Sequence, residues 1–214
     1  MIGDRLIIKQ RHRRAAEQIA DHVLGQTGSP TRIYTITVAG ESGCGKSETA
    51  RALADRLTER AMPTLVLQQD DYFVYPPKTN DRARRRDISW VGMREVRLAL
   101  LDEHLHRARC GQELLVKPLV VYEEDRITEE TVCLRGYAAV IAEGTYTTTL
   151  ENADTRVFID LDYLQTLSSR LERAREAQDD FLERVLAIEH EIIAAHKSRA
   201  DLIVDKDFQV IRAG

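Results

Sequence analysis

A glycine-rich run that ends in a lysine and a hydroxyl residue is the clearest chemical signal in the sequence. Residues 40–47 read Gly-Glu-Ser-Gly-Cys-Gly-Lys-Ser and fit the pattern G-x-x-x-x-G-K-[ST]. Glycines there permit backbone conformations closed to other residues, so main-chain N–H groups can surround an anion. Lys46 would reach the β- and γ-phosphates of a nucleotide, and the Ser47 hydroxyl would bind Mg²⁺.

The run therefore predicts a triphosphate-binding loop that joins a strand to a helix. A structural glycine-rich turn is the alternative, but a β-branched segment precedes the run and an Ala/Leu-rich helical segment follows it. We expect the nucleotide to contact the loop and the start of the helix, namely Gly40, Glu41, Ser42, Gly43, Cys44, Gly45, Lys46, Ser47 and Glu48.

Carboxylates follow two other short apolar segments. Asp70 and Asp71 come soon after Leu65-Val66-Leu67, and Glu143 directly follows the apolar run 138–142. In open α/β sheets, ligands bind at the carboxyl ends of the strands. One carboxylate there can accept a proton from an attacking hydroxyl, while another holds Mg²⁺. A solvated acidic loop and a surface acid at a strand end are the alternatives.

Short apolar strands alternating with helical patterns must position these residues. This alternation predicts one α/β domain with a central, mainly parallel sheet covered on both faces. The predicted strands cover residues 33–39, 65–67, 138–142, 157–159 and 202–204, and the predicted helices cover residues 4–24, 46–60, 91–108, 163–176 and 180–196. Residues 75–89 are predicted as loop, and residues 113–134 as extended segments around a polar turn.

The first 30 residues are predicted to form a helical extension, followed by a domain over residues 31–214. Ile8, Ala15, Ile19 and Val23 recur at helical spacing, and Gly25 is expected to end the helix. The extension could dock on the domain, dimerise or simply pack. Docking is our preferred interpretation.

Composition excludes several classes of function. The chain has 31 Lys and Arg against 35 Asp and Glu, a formal net charge of −4, which gives no overall attraction to nucleic acid. Its three cysteines are widely spaced and suggest neither disulfides nor structural zinc. No apolar run approaches the roughly 20 residues of a membrane span. We therefore expect a cytoplasmic location, with no membrane partner.

Four segments together resemble the uridine kinase and phosphoribulokinase family, which includes nicotinamide riboside kinases. They are Gly40–Ser47, Gln69–Phe73, Val140–Gly144 and Ala200–Val204. The resemblance implies the three-layer fold of P-loop NTPases with a small β-hairpin and a helical lid, and it implies ATP and Mg²⁺. It also implies that Asp70 is the catalytic base and that Glu143 lies near Mg²⁺, which gives Ser47 and Glu143 as the metal ligands.

The same resemblance suggests residues for the lid and for the acceptor. Arg170 and Arg173 share one face of a predicted helix, and we prefer Arg173 as the catalytic lid arginine beside Lys46 and Asp70. A charged surface helix is the alternative. Asp70, Tyr72, Tyr122, Arg126 and Glu143 are the expected acceptor-side residues, with a purely structural hairpin as the alternative for Tyr122 and Arg126.

These features predict an ATP-dependent kinase that phosphorylates a hydroxyl of a small molecule, with a nucleoside or related riboside as the first choice. No N-K-x-D base-recognition motif of GTPases is present. A nucleotide-binding regulator without transfer activity and a kinase for a sugar or sugar phosphate stay open, as does a homo-oligomer. Histidines on predicted helices, such as His104 and His190, are expected at the surface or in the core.

Overall fold

The computed structural model describes residues 6–27, 32–167, 170–171 and 179–213. Within these ranges the chain forms strands in two sheets and helices that cover the larger sheet. The strands are β1 (Tyr34–Gly40), β2 (Thr64–Gln68), β3 (Leu114–Val121), β4 (Arg126–Cys133), β5 (Ala139–Glu143), β6 (Thr155–Ile159), β7 (Leu202–Val204) and β8 (Val210–Arg212). The helices are α1 (Gln10–Thr27), α2 (Lys46–Glu59), α3 (Pro77–Arg86), α4 (Leu98–Arg109) and α5 (Asp180–Ala194).

The larger sheet has the strand order β2-β5-β1-β6-β7-β8. All its neighbouring strands run parallel except β8, which pairs antiparallel with β7. The middle strands β1, β5 and β6 are buried along most of their length because helices cover both faces. Strand β5, for example, is buried throughout. The predicted mainly parallel α/β sheet is confirmed.

Two hydrophobic clusters lie on opposite faces of this sheet. One joins α1 and α2 to strand residues such as Ile36, Ile141 and Val157. The other joins α4 and α5 to strand residues such as Val140 and Phe158. Residues at alternate positions of one strand, for example Val140 and Ile141, enter different clusters because strand side chains alternate between faces. The result is the predicted three-layer fold.

Helix α1 is part of this domain's core. Its small or β-branched residues Ala15, Ile19 and Val23 are fully buried in the cluster that contains α2. The helix runs from Gln10 to Thr27, so Gly25 does not end it as the sequence predicted. Space is open around Gly25, and a glycine there costs only about 1 kcal/mol, which tertiary packing can offset.

The prediction of loop over residues 75–89 is wrong, because Pro77–Arg86 form α3 and Ile88–Trp90 form a 3₁₀ turn. The sequence of α3 has no apolar periodicity, so the pattern did not predict a helix. Polar contacts stabilise it instead. Pro77 stands at its first turn, and the Asp125 carboxylate of the hairpin turn accepts the N–H groups of Lys78 (2.7 Å) and Thr79 (3.2 Å).

One helix boundary and one strand also differ from the sequence prediction. The helix expected over residues 91–108 begins at Leu98, after a short 3₁₀ turn at Met93–Glu95. Strand β8 was not predicted, because three residues at the end of the chain give too little pattern. The extended segments predicted over residues 113–134 are β3 and β4, an antiparallel hairpin.

Candidate active site

The glycine-rich run forms a tight turn between β1 and α2. Gly43 and Gly45 have φ angles of 77° and 95°, in the left-handed region that favours glycine. A Cβ at Gly43 would lie 2.7 Å from Arg170 Cγ, so a larger residue would collide with that side chain. Helix α2 starts directly at Lys46, and its amino end therefore faces the turn. A turn of this geometry at the amino end of a helix is suited to bind an anion.

Groups from two other elements, the start of α2 and the turn after β2, converge on Glu143 at the carboxyl end of β5. Burial, and then the neighbouring Asp70 carboxylate, raise the pKa of Glu143 to about 7, while Lys46 and a hydrogen bond from Ser47 lower it. Glu143 is 4% exposed. The structure thus brings Lys46, Ser47, Asp70 and Glu143 together, although 73 residues separate Asp70 from Glu143 in the sequence.

Strand register explains this convergence. In the parallel pair β2–β5, Gln68 is the partner of Glu143, so both strands end at the same edge of the sheet. The Gln68 amide also approaches the Glu143 carboxylate at 3.5 Å. A 3₁₀ turn then carries Asp70 past the end of β2.

The lysine of the glycine-rich turn bonds within the turn itself. Lys46 Nζ donates to the Glu41 carbonyl oxygen at 2.9 Å.

The two consecutive aspartates have different surroundings. Asp71 is 2% exposed and accepts hydrogen bonds from Lys117 Nζ (2.8 Å) and from the Val120 N–H (3.0 Å), both on the hairpin. Asp70 is partly exposed and faces Glu143. Asp71 therefore fixes the hairpin to the sheet, and Asp70 is the carboxylate that an acceptor could reach.

The residues present fit a magnesium ion. Ser47 and Glu143 offer a hydroxyl and a carboxylate oxygen, and Mg²⁺ prefers oxygen ligands completed by water and substrate phosphates. Among the described residues, no group of three or more His, Cys, Asp or Glu side chains could hold a metal ion by itself. A phosphate-bridged magnesium needs no such group.

The prediction that Tyr72 contacts the acceptor needs correction. Its side chain is fully buried, and its hydroxyl lies 2.8 Å from His104 Nδ1 on α4. Burial also strongly raises the pKa of Tyr72. The residue packs the 3₁₀ turn that carries Asp70 onto α4, and its side chain is not exposed to solvent.

Tyr122 and Arg126 lie at the hairpin turn. Lys78 Nζ on α3 stands 5.8 Å from the centre of the half-buried Tyr122 ring. Arg126 is exposed and pairs with Glu124 at 2.7 Å, within the same turn. Because these contacts are local to the hairpin and α3, the acceptor role of both residues stays a prediction.

The preferred lid residue, Arg173, lies outside the described residues, whereas Arg170 is described. Arg170 covers Gly43 and donates to the Thr166 hydroxyl at 2.8 Å and to the Tyr163 carbonyl. Thr166 in turn donates to the Ser42 carbonyl at 2.8 Å. The segment that precedes the predicted lid therefore rests on the glycine-rich turn and places an arginine above it.

Sequence reasoning missed two contacts near the site. The Glu41 carboxylate, inside the glycine-rich turn, lies 2.6 Å from His190 Nδ1 on α5. The Gln69 side chain packs against Gly144 and accepts the Tyr146 N–H at 2.8 Å. No spacing in the sequence links either pair. An acidic residue beside a phosphate-binding glycine is the one signal that could have drawn attention to Glu41.

Comparison with known proteins finds one matching family profile and several similar kinases. The profile of the Phosphoribulokinase / Uridine kinase family matches residues 35–209. The bifunctional alpha-galactosidase/sucrose kinase AgaSK of Mediterraneibacter gnavus is 26% identical over 197 residues, which are 86% of this chain but 21% of that protein. A uridine kinase of Leuconostoc citreum (strain KM20) is 25% identical over 181 residues, 79% of this chain and 85% of that protein.

A solved structure has the same fold. It is the putative fructose transport system kinase of Silicibacter sp. TM1040, with a TM-score of 0.68 and 17% sequence identity. The match covers 84% of this chain and 94% of that chain. None of the helices in the described parts of this chain has the length and apolar character required to cross a membrane.

Proposed function

We propose that this chain transfers the γ-phosphoryl group of ATP to a hydroxyl of a small molecule. The chain belongs to the phosphoribulokinase and uridine kinase family, whose members are ATP-dependent phosphotransferases. The observation that carries the proposal is the convergence of Asp70 and Glu143 with Lys46 and Ser47 of the phosphate loop, as residues 40–47 are called below. A triphosphate held by that loop would end beside a carboxylate that can accept a proton.

Each of these residues has a role that its position supports. Loop N–H groups and Lys46 would hold the phosphates, and Ser47 with Glu143 would hold Mg²⁺, which neutralises phosphate charge when bound. Asp70 would accept the proton of the attacking hydroxyl at its carboxylate. Most of the rate enhancement would come from positioning and electrostatics.

Arg170 is our first choice for the arginine that faces developing negative charge, because its side chain covers Gly43. Arg173, the residue preferred from the sequence, stays the alternative. Tyr72 would act through Asp70, because its buried hydroxyl bonds to His104 on α4.

A nucleoside or related riboside is the first acceptor to test, because a uridine kinase is similar over 85% of its length. A sugar is the second, because the similar proteins also include a sucrose kinase and a kinase assigned to fructose transport. A nucleotide-binding regulator without transfer activity is the remaining alternative.

The test is a screen with ATP labelled in the γ-phosphate against nucleosides, ribosides, neutral sugars and sugar phosphates. We expect label in one acceptor class and none with the variant Lys46→Ala, which controls for contaminating kinases. Tight ATP binding without transfer to any acceptor would contradict the kinase proposal and favour a regulator.

A further inference from the structure

A carboxylate lies inside the phosphate loop, where a negative charge opposes the binding of a triphosphate. Glu41 directly follows Gly40 and is 6% exposed. One carboxylate oxygen accepts the Tyr163 N–H at 2.7 Å, and the other lies 2.6 Å from His190 Nδ1. An uncompensated charge in the loop that would hold the phosphates would cost binding energy. A neutralising partner is therefore needed for this loop to bind ATP well.

His190 has the surroundings of such a partner. It sits on α5 with a side chain that is 37% exposed, and its ring meets the Tyr163 ring edge-on, with 5.7 Å between ring centres. Among the described residues, the charged groups that raise its pKa are Glu41 of the phosphate loop, Asp162 of the segment after β6, and Glu191 on its own helix. The hydrogen bond to Glu41 is the main cause that raises the pKa of His190.

We propose that His190 is a positioning residue whose protonated form neutralises Glu41 and holds the phosphate loop against α5, so that ATP binds more tightly to the protonated pair. This inference rests on the proposed function, because it concerns ATP at the same loop. It adds a dependence on protons to that site in the pH range where histidine titrates.

The pair also joins the phosphate loop to both segments that flank residues 168–178. Before them, the Tyr163 N–H bonds to the Glu41 carboxylate and the Thr166 hydroxyl bonds to the Ser42 carbonyl. After them, α5 contributes His190. A substitution of Glu41 would therefore alter one contact on each side of the predicted lid, with Tyr163 before it and with His190 after it.

The sign of the pH effect follows from the charges. Below the raised pKa of His190, the pair is neutral overall. As the pH rises through that pKa, His190 loses its proton, and Glu41 is left as a net negative charge beside the phosphates. Neutral His190 can still donate a hydrogen bond from Nδ1, so charge is lost while the contact persists. Coupling of the usual size between linked sites predicts about a tenfold weaker ATP affinity at high pH.

The experiment measures the Kd of Mg²⁺-ATP by titration calorimetry on the full chain, from about pH 6 to about pH 9, for four proteins. These are the wild type, His190→Gln, Glu41→Gln and the double variant. Glutamine at position 41 keeps an oxygen for the Tyr163 N–H and removes the charge. The titration of ATP itself affects all four proteins equally, so the differences between their Kd values are free of it.

We expect His190→Gln to weaken binding about tenfold near pH 6 and to abolish most of the pH dependence. Adding Glu41→Gln to it should restore most of the lost affinity, because the repelling charge is then gone. A purely structural role for the pair would instead leave the double variant at least as weak as His190→Gln alone, because the contact is already lost in that single variant. That outcome, or a Kd equal in wild type and His190→Gln, would overturn the inference. A wild type that binds no ATP at any pH would overturn the proposed function as well.

Discussion

Replacing Lys117 should destabilise the protein strongly, because this lysine neutralises a buried aspartate. Lys117 and Asp71 side chains are 7% and 3% exposed, and Nζ lies 2.8 Å from Oδ2. At that distance, Coulomb's law with an effective dielectric constant of about 20 gives an attraction of roughly 6 kcal/mol. In the variant, the Val120 N–H would still donate to the Asp71 carboxylate, and rearrangement of the surroundings would recover part of the lost attraction. We therefore expect Lys117→Met to lower the free energy of unfolding by about 3–5 kcal/mol.

The assay is chemical and thermal unfolding followed by circular dichroism. In a chain of this size the loss corresponds to a fall in Tm of about 10 °C. Adding Asp71→Asn to Lys117→Met should recover about half of the loss, since no unpaired charge then remains buried. Lys206→Met, at an exposed lysine, is the matched control. An equal Tm for Lys117→Met and this control would refute the reasoning, as would a double variant less stable than Lys117→Met alone.

Three further substitutions test the packing around the site. Tyr72→Phe should cost about 1 kcal/mol of stability through the lost bond to His104, and an unchanged KM for the acceptor would support its indirect role. Gly43→Ala should weaken ATP binding at least about tenfold in a calorimetric titration, because its Cβ would meet Arg170 at a φ of 77°; wild-type affinity would contradict the loop geometry. Ile19→Ala should cost about 2–5 kcal/mol in chemical unfolding, and a cost near zero would mean that α1 is not part of the core.

Local patterns were enough to predict the fold and to single out the residues that the structure brings together around Glu143. The phosphate loop is contiguous in sequence, and Glu143 ends an apolar strand, so neither needed knowledge of distant contacts. The family resemblance and the three-layer fold are confirmed by the matching profile and by the sheet with its two covered faces. The roles of the individual site residues stay predictions.

Contacts between distant polar residues could not be predicted. Helix α3 depends on Asp125, which lies in the hairpin turn about 40 residues beyond the helix, and it has no apolar stripe. Asp71 and Asp70 look alike in sequence, and only the contacts of Asp71 with Lys117 and Val120 on the distant β3 distinguish them. Tyr72 carries a hydroxyl next to the proposed base, but its burial against His104 depends on where α4 packs. Pattern reasoning has no access to such pairings.

The central claim is that Asp70 accepts the proton of an acceptor held beside the phosphate loop. The most direct measurement is kcat for Asp70→Asn with the acceptor found in the screen, alongside the Kd of ATP. We predict a kcat lower by about 10²- to 10⁴-fold, with ATP still bound. A variant whose turnover stays near that of the wild type would contradict the claim.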